Sequence, residues 1–320
     1  MEKGKKRLAL LVGCNYPNSQ YELHGCINDV VAMRDTLVGR FGFDPSHIEL
    51  LTDKPGSSVM PTGENIKRAL GEMVDKAEAG DVLYFHYSGH GTRIPSVKPA
   101  NPFGRDEAIV PCDFNLITDV DFRNLVNRLP KGASFTILSD SCHSGGLIDK
   151  EKEQIGPASF SDDTKAFTPP SSKPKTIPFD SILQHFTSLT NINTSDVATH
   201  SLELFGTNSS LKFRLPRTVQ LDFPDFLRPR GEGILLSGCQ ANETSADMNP
   251  AADGGKAFGA FSNAVETVLK ENPGRVLSNR EVVMMSRKVL KAQGFDQHPC
   301  LYCSDENADV AFLWQPQSTS

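Results

Sequence analysis

Short apolar runs alternate with segments of helical periodicity through the first half of the chain. The apolar runs predict strands over Arg7–Cys14, Ile48–Thr52, Asp81–Ser88, Glu107–Cys112 and Ser134–Asp140. Hydrophobic residues at helical spacing predict helices over Asn28–Phe41, Thr62–Ala79 and Asp119–Leu129. Strands that alternate with helices in this way predict an α/β fold, in which a mostly parallel central sheet is flanked by helices.

The pattern changes after Lys150. Residues 156–178 are rich in serine, threonine, proline and lysine, which predicts a mobile connector too polar to form a core. Two amphipathic helices follow, at Phe179–Leu189 and Val197–Phe205. The α/β alternation then returns, with a strand at Gly233–Cys239, helices at Gly259–Leu269 and Ser278–Gln293, and short strands at Leu301–Tyr302 and Ala308–Leu313. We therefore expect a large block over residues 1–150, a partly helical insert over 151–230 and a smaller block over 231–320.

Composition limits the possible partners. Lysine and arginine number 33 against 39 aspartates and glutamates, a net charge of −6, so we expect no nucleic-acid partner. Apolar runs all fall short of the roughly 18 residues of a membrane span, and Leu8–Val12 is too short for a signal-peptide core. The odd number of cysteines, seven, favours free thiols over a disulfide framework. These features predict a cytoplasmic protein without membrane contact, with release from the cell or a nuclear location as alternatives. We expect a monomer.

Two of the predicted strands lead into a reactive side chain. The strand over Asp81–Ser88 is followed by His90 and Gly91, and the strand over Ser134–Asp140 is followed by Cys142. Because ligands bind beyond the carboxyl ends of parallel strands, we expect this imidazole and this thiol to share a site. Thiolate catalysis needs such a pair, a nucleophile and a base that activates it. The backbone N–H groups of Gly91 and Cys142 are candidates for stabilising an oxyanion.

Strand alternation places two further side chains beside this pair. Ser88 stands two residues before His90, and Asp140 two residues before Cys142, so each projects to the same side as its reactive neighbour. Asp140 either forms the floor of a pocket for a cationic side chain or merely caps a turn. Asp29 is an ordinary helix-cap candidate, and it joins the site only if its loop lies beside the two strands.

Four motifs, in this order, resemble those of plant type II metacaspases, relatives of the caspases, over nearly the whole chain. They are His24–Asp29, Tyr87–Gly91, Asp140–Gly146 and Ser237–Asp247. The short insert is most similar to that of the metacaspase-9 type. The resemblance implies a caspase-like fold and a cysteine endopeptidase acting on proteins, with Cys142 as nucleophile and His90 as base and acid.

The resemblance also implies a pocket for a basic side chain and cleavage after Arg or Lys. The residues that line this pocket are Cys26, Asp29, Ser88 and Asp140. Paired carboxylates provide the physical reason, because they bind a guanidinium or an ammonium and repel an acidic side chain.

Type II metacaspases are zymogens that cut themselves in the insert after a basic residue, and the resemblance extends this expectation to the present chain. Lys175 is the leading candidate for the cleavage site. Lys173 is followed by proline, which usually blocks cleavage, whereas Lys175 is followed by threonine. Without the resemblance, a lysine in a polar stretch is expected to be solvated.

The resemblance suggests activation either by calcium or by acid pH, although the chemistry itself requires no cofactor. Carboxylates near the reactive pair are the expected calcium ligands, since calcium prefers oxygen. The available ones are Asp106, Glu107, Asp119, Asp121 and Asp149. Acids in loops are also common helix caps, and Asp119 opens a predicted helix.

Three other interpretations stay open. The chain is alternatively a catalytically silent caspase-like scaffold that binds partners through its groove and insert, although neither member of the reactive pair is missing. A legumain-like protease would prefer asparagine and carry a secretory signal. The Cys300 and Cys303 pair has zinc or redox spacing, but structural zinc needs four ligands, which favours core packing.

Overall fold

A seven-stranded sheet forms the centre of the computed structural model, which describes residues 5–95, 105–142, 147–148, 152–156, 172–215, 233–240, 243–250 and 255–313. In spatial order the strands are β2 (Ile48–Thr52), β1 (Arg7–Gly13), β3 (Val82–Ser88), β7 (Ser134–Asp140), β10 (Gly233–Ser237), β13 (Cys300–Tyr302) and β8 (Glu153–Ile155). The first five pair in parallel. β13 runs antiparallel to β10, and β8 antiparallel to β13. The predicted α/β fold with a mostly parallel sheet is confirmed.

Helices cover both faces of this sheet. One face packs against α1 (Cys26–Phe41), α7 (Ala260–Glu271) and α8 (Asn279–Ala292), and the other against α2 (Gly63–Asp75) and α3 (Asp119–Asn127). A strand covered on both sides has no face for polar residues, and all seven residues of β3 are buried. This is why the central strands stand out as continuous apolar runs.

Local signals place several helix ends. The predicted capping box at the start of α8 is present: the Ser278 side chain accepts from the Glu281 N–H, and Glu281 accepts from the Ser278 N–H.

The predicted strand at Ala308–Leu313 is wrong. A short helix, α9 (Asp305–Ala308), comes first, and Phe312 then lies buried with its N–H bonded to the Leu277 carbonyl. The segment pairs only through an isolated antiparallel bridge between Ala311 and Ser278, and its burial beside α8 explains its apolar sequence.

Two small sheets lie outside the central one. The first contains β4 (Gly91–Pro95), β5 (Arg105–Ile109) and β6 (Ile117–Thr118). The second contains β12 (Phe258–Gly259), β11 (Ala246–Met248) and β9 (Ser172–Pro174). Single 3-10 turns occur at Pro45–His47 and Gly206–Asn208. Both small sheets adjoin the carboxyl ends of β3 and β7, where the reactive residues lie.

The insert packs onto the large block through its helices. These are α4 (Phe179–Thr190), α5 (Val197–Phe205) and α6 (Leu211–Arg214). Buried apolar side chains of the helices, including Ile182, Phe186 and Phe213, cluster with Ile94 and Val110 from the large block. The helical parts of the insert therefore share a core with the block.

The connector is less polar in its surroundings than its composition suggests. The sequence predicted a segment without core contacts up to Pro178, yet Ser172–Pro174 forms β9, and Lys175 and Ile177 are completely buried. The prediction is therefore wrong for residues 172–177, and residues 157–171 lie outside the described part. The reason is that the buried lysine has carboxylate partners on other elements, which no local pattern reveals.

Candidate active site

His90 lies just beyond β3 and is only 3% exposed. Its ring packs against Tyr16, with ring centroids 4.7 Å apart, and its Nε2 lies 2.7 Å from the Tyr21 carbonyl oxygen. A carbonyl only accepts, so Nε2 must carry the proton, and in the neutral ring Nδ1 holds the lone pair. Among the described residues, Nδ1 has no hydrogen-bond partner. Burial lowers the pKa of His90 to about 4, which leaves a neutral ring with an available Nδ1.

Cys142 lies just beyond β7 and is buried. Its Sγ accepts a hydrogen bond from the Ser245 N–H at 3.0 Å and donates to the Ser245 carbonyl at 3.5 Å. Burial raises the pKa of this thiol well above its ordinary value, and the neighbouring Cys239 thiol raises it further. The sulfur is therefore a protonated thiol in this arrangement of the chain.

The segment that contains Lys175 crosses the carboxyl ends of β3 and β7. The Lys175 carbonyl accepts from the Gly91 N–H at 3.0 Å and from the Cys142 N–H at 3.1 Å. On either side of this carbonyl, the Lys175 N–H bonds to Ser245 O and the Ile177 N–H bonds to Gly91 O. The two N–H groups that the sequence singled out for an oxyanion thus converge on one carbonyl oxygen of the insert.

The Lys175 side chain enters a closed acidic pocket. Its Nζ lies 3.2 Å from Asp140 Oδ1 and 3.6 Å from Asp29 Oδ2, and it donates to Ser88 Oγ at 2.9 Å. Burial opposes the charge on the ammonium, but Asp140, Cys26 and Asp29 keep the pKa of Lys175 above its ordinary value. Three of the four predicted pocket residues, Asp29, Ser88 and Asp140, therefore contact one lysine, and Cys26 influences its charge.

Asp29 enters this pocket from the first turn of α1 and is not a helix cap, since Gly25 occupies that position. Its carboxylate accepts from Ser88 Oγ at 2.7 Å and from the Gly259 N–H at 2.8 and 3.0 Å. Burial raises the pKa of Asp29 to about 7, with Lys175 opposing the shift. Asp140 is held by a bond from the Ser262 N–H at 2.8 Å. Backbone donors from around the start of α7 thus orient both carboxylates.

Sequence reasoning missed several residues of this site. Gly259 is one: a Cβ built there would collide with Lys175 Nζ and with both pocket carboxylates. Asp247 accepts from the N–H groups of His24 and Gly25, which holds the loop before α1 against β11. Tyr21 and Ser245 act through their backbone groups, for which side-chain patterns carry no signal. The only signal came from the resemblance, because Ser245 and Asp247 both fall within the last of the four motifs.

Four of the five predicted calcium ligands are described: Glu107 is buried in β5, and the other three are engaged by protein groups. Asp106 and Asp119 pair with the Lys212 ammonium, Asp119 also pairs with Arg123, and Asp121 caps α3 through the Thr118 N–H. Asp149 lies outside the described residues. Within the described ranges, no group of three or more histidines, cysteines or carboxylates is arranged to hold a metal ion, Cys300 and Cys303 included. The described carboxylates do not fit a bound calcium in this arrangement.

Comparison with known proteins decides the family. The model of the metacaspase peptidase C14 domain matches residues 6–151. The chain is 62% identical to Metacaspase-9 of Arabidopsis thaliana over 98% of both sequences, and 37% identical to Metacaspase-6 of that plant over 95% of this chain and 99% of the relative. This chain belongs to the metacaspase family.

Solved structures agree with this metacaspase in fold. A protein of Geobacter sulfurreducens superposes with a TM-score of 0.58 at 20% identity, over 93% of each chain. Caspase-1 of Spodoptera frugiperda gives a TM-score of 0.50 at 8% identity, over 99% of this chain and 92% of its own. The caspase-like fold expected from the motifs is therefore confirmed.

Family membership makes this metacaspase a cysteine-type peptidase, so its substrates are proteins or peptides. The predicted resemblance to the metacaspase-9 type is confirmed by the identity along nearly the whole chain. Of the helices that the structure describes, none has the length and apolar character to span a membrane.

Proposed function

We propose that this metacaspase is an endopeptidase that cleaves after Arg or Lys and is made as a zymogen that cuts itself after Lys175. One observation carries the proposal. The Lys175 carbonyl accepts from the Gly91 and Cys142 N–H groups while its ammonium lies between Asp29 and Asp140. A peptide bond next to a nucleophile, with its carbonyl on two donors and its side chain in a complementary pocket, is arranged as a substrate.

The chemistry proceeds by nucleophilic catalysis. Nδ1 of His90 takes the proton of the Cys142 thiol, and Sγ attacks the carbonyl carbon of the basic residue. The N–H groups of Gly91 and Cys142 stabilise the negative oxygen that forms. His90 then gives its proton to the leaving amine, which is Thr176 in the first cut. Water, deprotonated by His90, hydrolyses the thioester and restores the thiol.

The intact chain is at rest because its proton distribution opposes attack. The pKa of Cys142 is raised and that of His90 is lowered, both by burial, so the proton stays on sulfur. The Sγ atom is moreover bonded to Ser245. Activation therefore requires a change that frees the thiol from Ser245 or lets water reach the pair.

Self-cleavage tests the assignment of Lys175. Lys175→Gln removes the ammonium but keeps a long side chain at this position. Two buried carboxylates then lose their cation. We therefore expect cleavage between residues 175 and 176 to slow by on the order of 10³-fold. Fragment masses after incubation of the purified chain measure it. Lys173→Gln is the matched control, because that lysine is exposed and should leave the cut unchanged. Fragments ending at residue 175 at the parent rate in Lys175→Gln would contradict the proposal.

Gly259→Ala tests the pocket without changing any charge. The added methyl group would occupy the place of a bound ammonium, so kcat/KM for a peptide ending in Arg should fall by about 10²-fold or more, with the circular dichroism spectrum retained. Gly39→Ala is the control: a Cβ there has nothing within 4 Å, and alanine favours a helix by roughly 0.5–1 kcal/mol. A pocket at Gly259 is contradicted if both variants lose activity equally, or if neither variant loses activity.

A further inference from the structure

A second lysine of the insert is buried against the large block, about forty residues after the first. Lys212 lies in α6 and is 6% exposed. Its Nζ lies 2.6 Å from Asp106 Oδ2 and 3.3 Å from Asp119 Oδ1. Asp106 belongs to β5 and Asp119 begins α3, so a single ammonium joins the insert to two elements of the large block.

Backbone and hydroxyl contacts strengthen the same junction. The carboxylate of Asp121, on the first turn of α3, accepts from Ser210 Oγ at 2.5 Å and from the Leu211 N–H at 2.9 Å. The start of α6 is thereby fixed over the start of α3, which directs Lys212 towards the two carboxylates. Three of the residues expected to bind calcium, Asp106, Asp119 and Asp121, are instead bound by the insert.

The ion pairs at this junction form without a metal. Among the described residues, Asp106 and Asp119 pair with two cations, Lys212 and Arg123, while the third carboxylate, Asp121, is held by hydrogen bonds from the insert. The side chains of Lys212, Asp106 and Asp119 are each less than 10% exposed. Because these side chains are poorly solvated, removal of one cation leaves a negative charge that water does not compensate and that attracts another cation.

We propose that the Lys212 ammonium is the resident cation of the Asp106–Asp119 pair in the intact chain, in the place where the sequence predicted calcium. It fastens α5 and α6 to the large block independently of Lys175, so the insert has two lysine anchors. While Lys212 is seated, the pair has no affinity for a divalent cation. When Lys212 is neutralised, α5 and α6 loosen and the pair binds calcium.

The test uses the full chain carrying Cys142→Ala, so that its result depends neither on catalysis nor on the proposed function. In that parent, Lys212→Gln should raise amide hydrogen exchange of residues 197–214 by about tenfold and produce calcium binding by calorimetry. Lys212→Arg keeps the positive charge, so its amide exchange and its lack of calcium binding should resemble those of the parent. Lys67→Gln is the matched control, because Lys67 also contacts the insert, at the Asn208 carbonyl, but without a carboxylate of this pair.

Two results would overturn the proposal: unchanged exchange of residues 197–214 in Lys212→Gln, or calcium affinity in the parent that equals or exceeds that of the variant. If Lys212→Gln does not fold, the double variant Asp106→Asn/Lys212→Gln removes the uncompensated charge. This double variant should fold and should bind no calcium. Its amide hydrogen exchange over residues 197–214 should be as fast as that expected for Lys212→Gln. Parent-like exchange in the double variant would equally overturn the proposal.

Discussion

Cys142→Ala will leave the purified chain as a single intact species and reduce peptidase activity by on the order of 10⁴-fold or more. The methyl group keeps the fold around Ser245 but offers no electron pair to a carbonyl carbon. Activity is measured with a fluorogenic peptide ending in Arg, and self-cleavage by the masses of the fragments.

The matched control for this loss is Cys303→Ala. That thiol is buried in the core that includes α8, away from the carboxyl ends of β3 and β7, so its removal should cost some stability and leave the activity. Self-cleavage that persists in Cys142→Ala at the parent rate would show that another nucleophile acts. If, in addition, the parent hydrolyses no peptide, the result favours the silent-scaffold interpretation.

Asp140→Asn should reduce kcat/KM for peptides ending in Arg or Lys by about 10²- to 10³-fold. The substitution keeps the shape of the side chain but removes the carboxylate nearest to the Lys175 ammonium, and breaking a buried ion pair costs about 3–5 kcal/mol. The Asn side-chain oxygen can still accept from the Ser262 N–H, but it carries no charge, which leaves Asp29 as the carboxylate that pairs with the substrate cation.

The measurement compares peptides that differ only in the residue before the scissile bond, Arg against Gln. The preference for Arg should collapse in Asp140→Asn and persist in Asp35→Asn, whose carboxylate pairs with Arg34 on the surface. An Arg preference within twofold of the parent in Asp140→Asn would contradict the acidic pocket. A general loss of activity towards both peptides would point to a damaged fold instead.

Strand alternation was enough to group part of the site. Ser88 and Asp140 were expected beside His90 and Cys142 because residues two apart on a strand share a face, and both reach the Lys175 ammonium. That reasoning works because β3 and β7 are adjacent parallel strands, with Ser88 paired to Asp140 in register. Neighbours of this kind follow from backbone geometry alone.

Asp29 and Gly259 could not be grouped in this way. They are 230 positions apart and meet only because α1 and α7 pack on the same face of the sheet. Within its own segment Asp29 has the pattern of a helix cap, and Gly259 merely precedes a helix. A contact between distant elements depends on how their apolar faces pack. The sequence of a segment shows which of its faces is apolar, but not which element packs against that face.

Local pattern was enough to predict the five parallel strands of the central sheet, the longer helices and the candidate histidine and cysteine, because hydrophobic period and side-chain type are local properties. The resemblance to a family singled out Lys175 as a candidate cleavage site. The burial of Lys175 and Lys212, in contrast, follows from how distant elements pack together. A lysine leaves water when carboxylates from other elements surround its ammonium, and those partners come together only when the chain is folded.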